Sequence, residues 1–316
     1  PTAEPVEETP APTIWTIRNE TADEILAFAQ YPSLREVDAD GCTEYDALLK
    51  LCELLPACDI HWTYRFQGTT YPSDTRELTV TDLKGLEDAI RYLPGLETVD
   101  LLEAGASIED LDRLDAVRPG IFFLWSFDFG TAHIRTDIEV FSTLRDMTNH
   151  RYTDAELYPL LKYCRHLKAL DLGFNAVTDV SLIGELKELE VLILAGNSIQ
   201  DALPLGQLEN LSYLELQMNR GIRNFTFLRK LTNIQELNLC YDTYCTNLDF
   251  LEYMPNFSFG MFKLTDVDSD DFNTWAERFP DASIIVWGSD SCTDCGWNET
   301  PRNIAIRHAF RNWRHI

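Results

Sequence analysis

Between Leu167 and Asn219 one spacing of apolar residues returns three times at a step of 22 residues. Leu167, Leu170, Leu172 and Asn175 are followed by Leu189, Leu192, Leu194 and Asn197, then by Leu211, Leu214, Leu216 and Asn219. A unit this short cannot bury its own apolar face, so neighbouring copies must stack on one another. The last two leucines of each set alternate with other residues, and a period of two makes a short strand that points them to one side. The Asn three places later turns the chain. Its amide can bond the peptide groups of adjacent turns, so stacked copies are expected to form a ladder.

Carried outward, the frame finds weaker copies. On the N-terminal side they are Ile14/Ile17, Leu34/Val37/Ala39, Ala57/Ile60/Trp62, Leu78/Val80, Leu96/Val99/Leu101, Ile121/Leu124 and Phe141/Leu144. On the C-terminal side they are Ile234/Leu237/Leu239, Phe257/Gly260/Phe262 and Ile284/Val286. The step wanders between roughly 18 and 26 residues, which gives about thirteen strands. Segments 21–30, 44–55, 83–93 and 153–163 place apolar residues at three- and four-residue spacing and are expected to be helices. Thr21 with Glu24, and Thr153 with Glu156, are capping boxes that would start two of them. Later connections are shorter and read as single turns.

The L-x-x-L-x-L-x-x-N spacing resembles the leucine-rich repeat family. The endings from Asn175 to Asp179 and from Asn197 to Asp201 are similar to the 22-residue repeats of bacterial internalin-like surface proteins, and intracellular phosphatase-regulating repeats share that length. The resemblance is clearest over 158–242. It implies an α/β fold, a curved horseshoe solenoid with a parallel β-sheet on the concave face and helices and turns on the convex face. It brings no catalytic residues, and fold alone does not give function.

Composition narrows the partners. With 52 acidic against 26 basic side chains the net charge is -26, which argues against nucleic acid or an anionic membrane, because phosphates are bound by Lys and Arg. A cationic or neutral partner fits better. No apolar run of about 18 residues exists, so no transmembrane segment is expected. Residues 1–12, rich in Pro, Glu and Thr, read as an extended linker, and a linker at the start of a chain without Met points to a secreted or surface-anchored protein, a lipoprotein among the options. Cys52 and Cys164 lie on apolar helix faces and are expected to be inert thiols. Cys292 and Cys295 form a C-x-x-C that leaves a local disulfide, free thiols or metal open, with Cys240 and Cys245 about two repeats away.

The repeat domain is expected to span 13–288, with a loop and helix over 289–316. Pro301 suits a first helical turn. Ile304, Ile306, Phe310 and Trp313 could supply a buried face, and Arg307, His308, Arg311, Arg314 and His315 would pair with the acidic body. That helix is expected to cap the open end of the solenoid; the alternative is a partner-docking helix. Asp266, Asp268, Asp270 and Glu277 have a calcium-loop spacing, but Asp271 stands where the sharp turn needs Gly, so no metal is expected. Metalloprotease, nucleophile-elbow and phosphate-loop motifs are missing from the sequence, and no cofactor is expected.

Residues flanking the inward leucines point out onto the concave face. In that frame Phe123, Trp125, Phe127, Ile193 and Tyr213 form an aromatic and apolar row beside Asp171, Glu215 and Glu236, with Phe259, Met261 and Trp287 at the C-terminal end. Either this row is a ligand-binding patch, or the Phe123 repeat is irregular and buries its rings. The resulting expectation is a non-enzymatic protein- or peptide-binding protein that uses its concave face. Glycan binding and an intracellular scaffold or enzyme regulator are the alternatives.

Overall fold

The structure, a computed structural model, describes residues 14–130, 132–143, 150–288 and 296–313. The 1–12 segment, Leu144, the Cys292/Cys295 pair, Arg314 and His315 lie outside these residues. The chain forms two compact units, Pro1–Trp125 and Ser126–Ile316.

In the first unit, β1 (Ile14–Thr16), β2 (Glu36–Asp38) and β3 (Asp59–His61) form a parallel sheet. After a hairpin of β4 (Thr63–Phe66) and β5 (Thr69–Pro72), β6 (Glu77–Thr79), β7 (Thr98–Asp100) and β8 (Phe122–Leu124) form a second. Helices α1 (Ala22–Ala27), α2 (Tyr45–Leu54), α3 (Leu86–Tyr92) and α4 (Ile108–Val117) connect the parallel strands. The Thr21/Glu24 box is present, with the Thr21 N–H donating to Glu24 over 2.8 Å. A further box at Ser107 and Asp110 starts α4. It escaped the sequence signature because Asp stands where Glu or Gln is usual.

The Phe123 repeat corrects the sequence frame. Val99 pairs with Phe123 in register, so Phe123 takes the inward position that Leu124 was expected to fill. Phe123, Trp125 and Phe127 are all buried, and the Trp125 indole donates to the Ala106 carbonyl at 2.8 Å. The cause is local. A turn through Pro119 and Gly120, the latter at φ +105°, leaves Ile121 two rather than three places before the inward residue.

The second unit opens with a hairpin, β9 (Ser126–Phe129) and β10 (Ala132–Arg135). A seven-stranded parallel sheet follows in sequence order: β11 (Val140–Ser142), β12 (Ala169–Asp171), β13 (Val191–Ile193), β14 (Tyr213–Glu215), β15 (Glu236–Asn238), β16 (Phe259–Met261) and β17 (Ser283–Ile285). With the two sheets of the first unit this makes thirteen parallel strands among the described residues. Connections are α5 (Asp154–Leu161), four 3₁₀ turns between 183 and 253, then α6 (Ser269–Arg278). Asp268 caps α6, accepting from the Asp271 N–H at 2.8 Å, which gives that acidic cluster a structural role. The chain ends in α7 (Pro301–Asn312).

The Asn ladder is formed. Asn197 donates to the carbonyls of Leu172 and Leu194, both at 2.9 Å, and accepts from the Val177 N–H at 3.0 Å. Asn219 repeats the pattern onto Leu194 and Leu216. One residue before each ladder Asn the backbone turns left-handed, at Phe174, Gly196 and Met218. Only one of the three is Gly, the residue that takes this conformation without strain.

Candidate functional site

Register alignment of β11 to β17 sets two outward columns on the sheet of the second unit. One runs Val140, Ala169, Val191, Tyr213, Glu236, Phe259, Ser283; the other runs Ser142, Asp171, Ile193, Glu215, Asn238, Met261, Ile285. Seven of the residues picked from the sequence therefore share one face: Asp171, Ile193, Tyr213, Glu215, Glu236, Phe259 and Met261. Trp287 does not join them. It follows β17, is exposed, and meets the Phe272 ring edge-on at 4.6 Å.

This face is covered by the chain itself. All seven residues are buried, beneath α7 and the 3₁₀ turn Trp297–Glu299. Trp297 is fully buried, with its ring 5.5 Å from Tyr213 and 5.2 Å, edge-on, from Phe259. Ile306 and Phe310 complete the apolar cluster with Ile193 and Met261. Trp313 packs on Phe141 of β11 at 5.0 Å. The expectation of a cap over the open end is thus corrected: α7 lies across strands β11 to β15, because its apolar stripe and its arginines find partners there.

The polar contacts centre on Glu215. Its carboxylate accepts from the Tyr213 hydroxyl, from Arg307, and from Gln217 at 2.8 Å, with the Trp297 indole at 3.4 Å. Asn303 donates to the Tyr213 hydroxyl at 2.7 Å, and Arg302 donates to Gln235 at 2.7 Å and to Ser212. Burial alone would pull Arg307 down, but Glu215, Tyr213 and Asp171 together outweigh that and hold the guanidinium above its usual range. Burial pushes the Tyr213 hydroxyl up, reinforced by Glu215. Glu236 is likewise raised by burial, with the Arg302 charge opposing. Asp171 is pushed up to about 7 by burial, against the Gly173 N–H and Arg307, which favour its charged form.

Sequence reasoning anticipated that the cations of this helix would pair with the acidic body, and Arg307 does so. It missed Trp297, Asn303 and Gln217. The signal for Asn303 was its four-residue spacing from Arg307 on the face that also carries Ile306 and Phe310. Trp297 lies in an irregular stretch that no periodicity marks.

No protein-family model matches the sequence, and no curated protein matches it. Among solved structures the chain is similar to internalin C2 of Listeria monocytogenes, at 19% identity over 67% of this chain and 77% of that one, with a TM-score of 0.36. It is also similar to an internalin, InlF, of the same organism, at 14% identity over 85% and 67% with a TM-score of 0.37. A leucine-rich repeat protein of Leptospira interrogans matches at 15% identity over 84% and 74%, with a TM-score of 0.35.

Proposed function

We propose that this chain, a leucine-rich repeat protein by its in-register parallel strands and its Asn ladder, is a non-enzymatic protein- or peptide-binding protein. Its ligand face is the outward side of β11 to β16, and its ligand is a basic amphipathic helix. The observation that carries the reading is the way that face holds α7: through Arg307 on Glu215, Arg302 on Ser212 and Gln235, and Asn303 on Tyr213. A core element is docked mainly by apolar packing, whereas a recognition surface combines aromatic anchors with charge-assisted bonds. In this arrangement α7 is the resident occupant, and a partner segment of the same chemistry takes its place. If docking is worth about 3 kcal/mol, it lowers the apparent affinity of a competitor roughly 150-fold.

The test adds a labelled peptide of sequence 296–313 to the full chain and to an Arg302→Ala/Arg307→Ala variant. The variant should bind the peptide at least about tenfold more tightly, because its own helix holds on less well. Fluorescence anisotropy measures this. A folded variant with no gain would contradict the reading.

A secreted or cell-surface setting, on a bacterium, belongs to the same proposal. It is supported by the tether-like composition of residues 1–12 and the strongly acidic balance. Protease treatment of intact cells should release the repeat units; retention in the cytosolic fraction would count against it.

A further inference from the structure

The turns that leave β14 and β15 are basic on an acidic chain. Residues 216–235 hold Arg220, Arg223, Arg229 and Lys230 and no Asp or Glu, although the chain has 52 acidic side chains. We propose that these turns bind a phosphate monoester on a small soluble molecule. This goes beyond the helix-binding reading, since no residue of α7 or of the outward columns lines the site.

The charge pattern is built into the repeat. At Asp179 and Asp201, 22 residues apart, the carboxylate opens a turn by accepting the backbone N–H two residues on, from Ser181 at 2.8 Å and Leu203 at 2.9 Å. In the next two repeats Asn takes over that bond: Asn224 accepts from the Thr226 N–H at 3.0 Å and Asn247 from the Asp249 N–H at 3.3 Å. Arg223 stands a further 22 residues on, at the position of the two Asp. The turn needs only a side-chain oxygen, so Asn keeps it without the negative charge.

Three of the cations are held by rings of the next repeat. The guanidinium of Arg220 lies 5.3 Å from the centre of the Tyr241 ring, that of Arg223 4.7 Å from Tyr244 and that of Arg229 5.9 Å from Tyr253. None of the three forms an ion pair among the described residues. A guanidinium over a ring uses its face, and its N–H edge stays available. Arg223 and Arg229 line a hollow of about 210 Å³ together with Asn224, Thr226, Tyr244 and Asn247, and no carboxylate lines it. Because the oxygens of Asn224 and Asn247 are taken by backbone N–H groups, their NH2 groups are the ends left to donate.

The identity of the ligand follows from size, count and charge. The hollow is smaller than the roughly 300 Å³ at which pockets for whole small molecules begin, so it takes a headgroup. Its lining offers two positive charges and an excess of donors. A carboxylate brings one charge and two oxygens, whereas a phosphate monoester brings close to two charges and three acceptor oxygens. A phosphodiester carries one charge, and a nucleic acid or an anionic membrane would meet the repulsion of the whole acidic body. At physiological ionic strength charges beyond about 8 Å are largely screened, so a small anion responds to this surface rather than to the net charge of -26.

The experiment titrates the full chain with methyl phosphate at about pH 7.5, where the ester is largely dianionic, and follows the side-chain amide signals of Asn224 and Asn247 by NMR. Saturable binding is expected. Methyl sulfate, of the same shape with one charge, should bind at least about tenfold more weakly. Arg223→Gln and Arg229→Gln should each weaken methyl phosphate by about tenfold, and because both side chains are exposed the variants keep the fold. Arg278→Gln is the control: that arginine also lies over a ring, Trp275 at 4.5 Å, but it pairs with Glu252 and lies outside the hollow, so its loss should leave the affinity unchanged. Absent saturation, equal binding of methyl sulfate, or unchanged affinity in Arg223→Gln and Arg229→Gln overturns the proposal. Capture by phosphatidate vesicles without saturable binding of methyl phosphate overturns it as well. Failure of peptide exchange at β11 to β16 leaves these outcomes untouched, so the two readings fail separately.

Discussion

Asp171 shows how a single buried carboxylate is tuned by its place in the sheet. The Gly173 N–H reaches one oxygen at 3.0 Å and Ser142 the other at 3.3 Å, yet burial dominates and lifts its pKa to about 7. The folded state therefore holds a proton that the unfolded chain has released between about pH 4 and about pH 7, so stability falls as pH rises through that window and is level above it. Asn in its place keeps both hydrogen bonds without the charge. Asp171→Asn should leave stability near its present value at about pH 4 and raise it by on the order of 2 to 4 kcal/mol above about pH 8, read by denaturant unfolding. A variant with the same pH profile as the parent would show that Asp171 ionises freely. At Asn197 the direction is opposite: Asn197→Leu removes the amide that serves Leu172, Leu194 and Val177, and should cost about 1 to 3 kcal/mol. Trp125 belongs with the core, not with the ligand face. Its replacement by Ala should destabilise the chain by about 3 to 5 kcal/mol, and a melting point unchanged from the parent would return it to the surface.

Individual elements were legible where the pattern was regular and lost where a turn changed the count. Leu170, Leu192, Leu214 and Leu237 mark their strands because stacking forces one inward leucine per strand. The Phe123 strand was misread by one residue because Pro119 and Gly120 shorten the approach, and a slip of one residue reverses every side chain. For α7 the helix itself was legible from Pro301 and its apolar spacing, but its destination was not. An amphipathic helix states which face is buried and leaves open what covers it. The element that fixes the destination is the Trp297 turn, seated between Tyr213 and Phe259. Replacing Trp297 with Ala should speed tryptic cleavage at Arg302, Arg307 and Arg311 by about tenfold or more while the strands stay protected. Unchanged cleavage would show that the turn does not pin the helix.

Across the whole chain, both units carry parallel repeat strands, yet their outward faces differ. In the first unit Glu36, Asp38, Asp59, Glu77 and Asp100 stand at outward strand positions with solvent access, Asp38 pairing with Arg18 at 2.7 Å. In the second, the outward acids Asp171, Glu215 and Glu236 are buried, and the helix over them brings Arg302, Arg307 and Arg311 to a chain of net charge -26. The excess of acid was visible in the composition; that the chain supplies its own basic segment to one acidic face was not, because composition carries no geometry. The central claim is that α7 is a separable occupant of this face rather than part of the core. Native-state hydrogen exchange tests it directly, by comparing the amides of Ile306 and Phe310 with those of Leu192 and Leu214. The account predicts that α7 opens by itself, with a free energy at least about 2 kcal/mol below that of the strands. Equal protection, lost only on global unfolding, would contradict it.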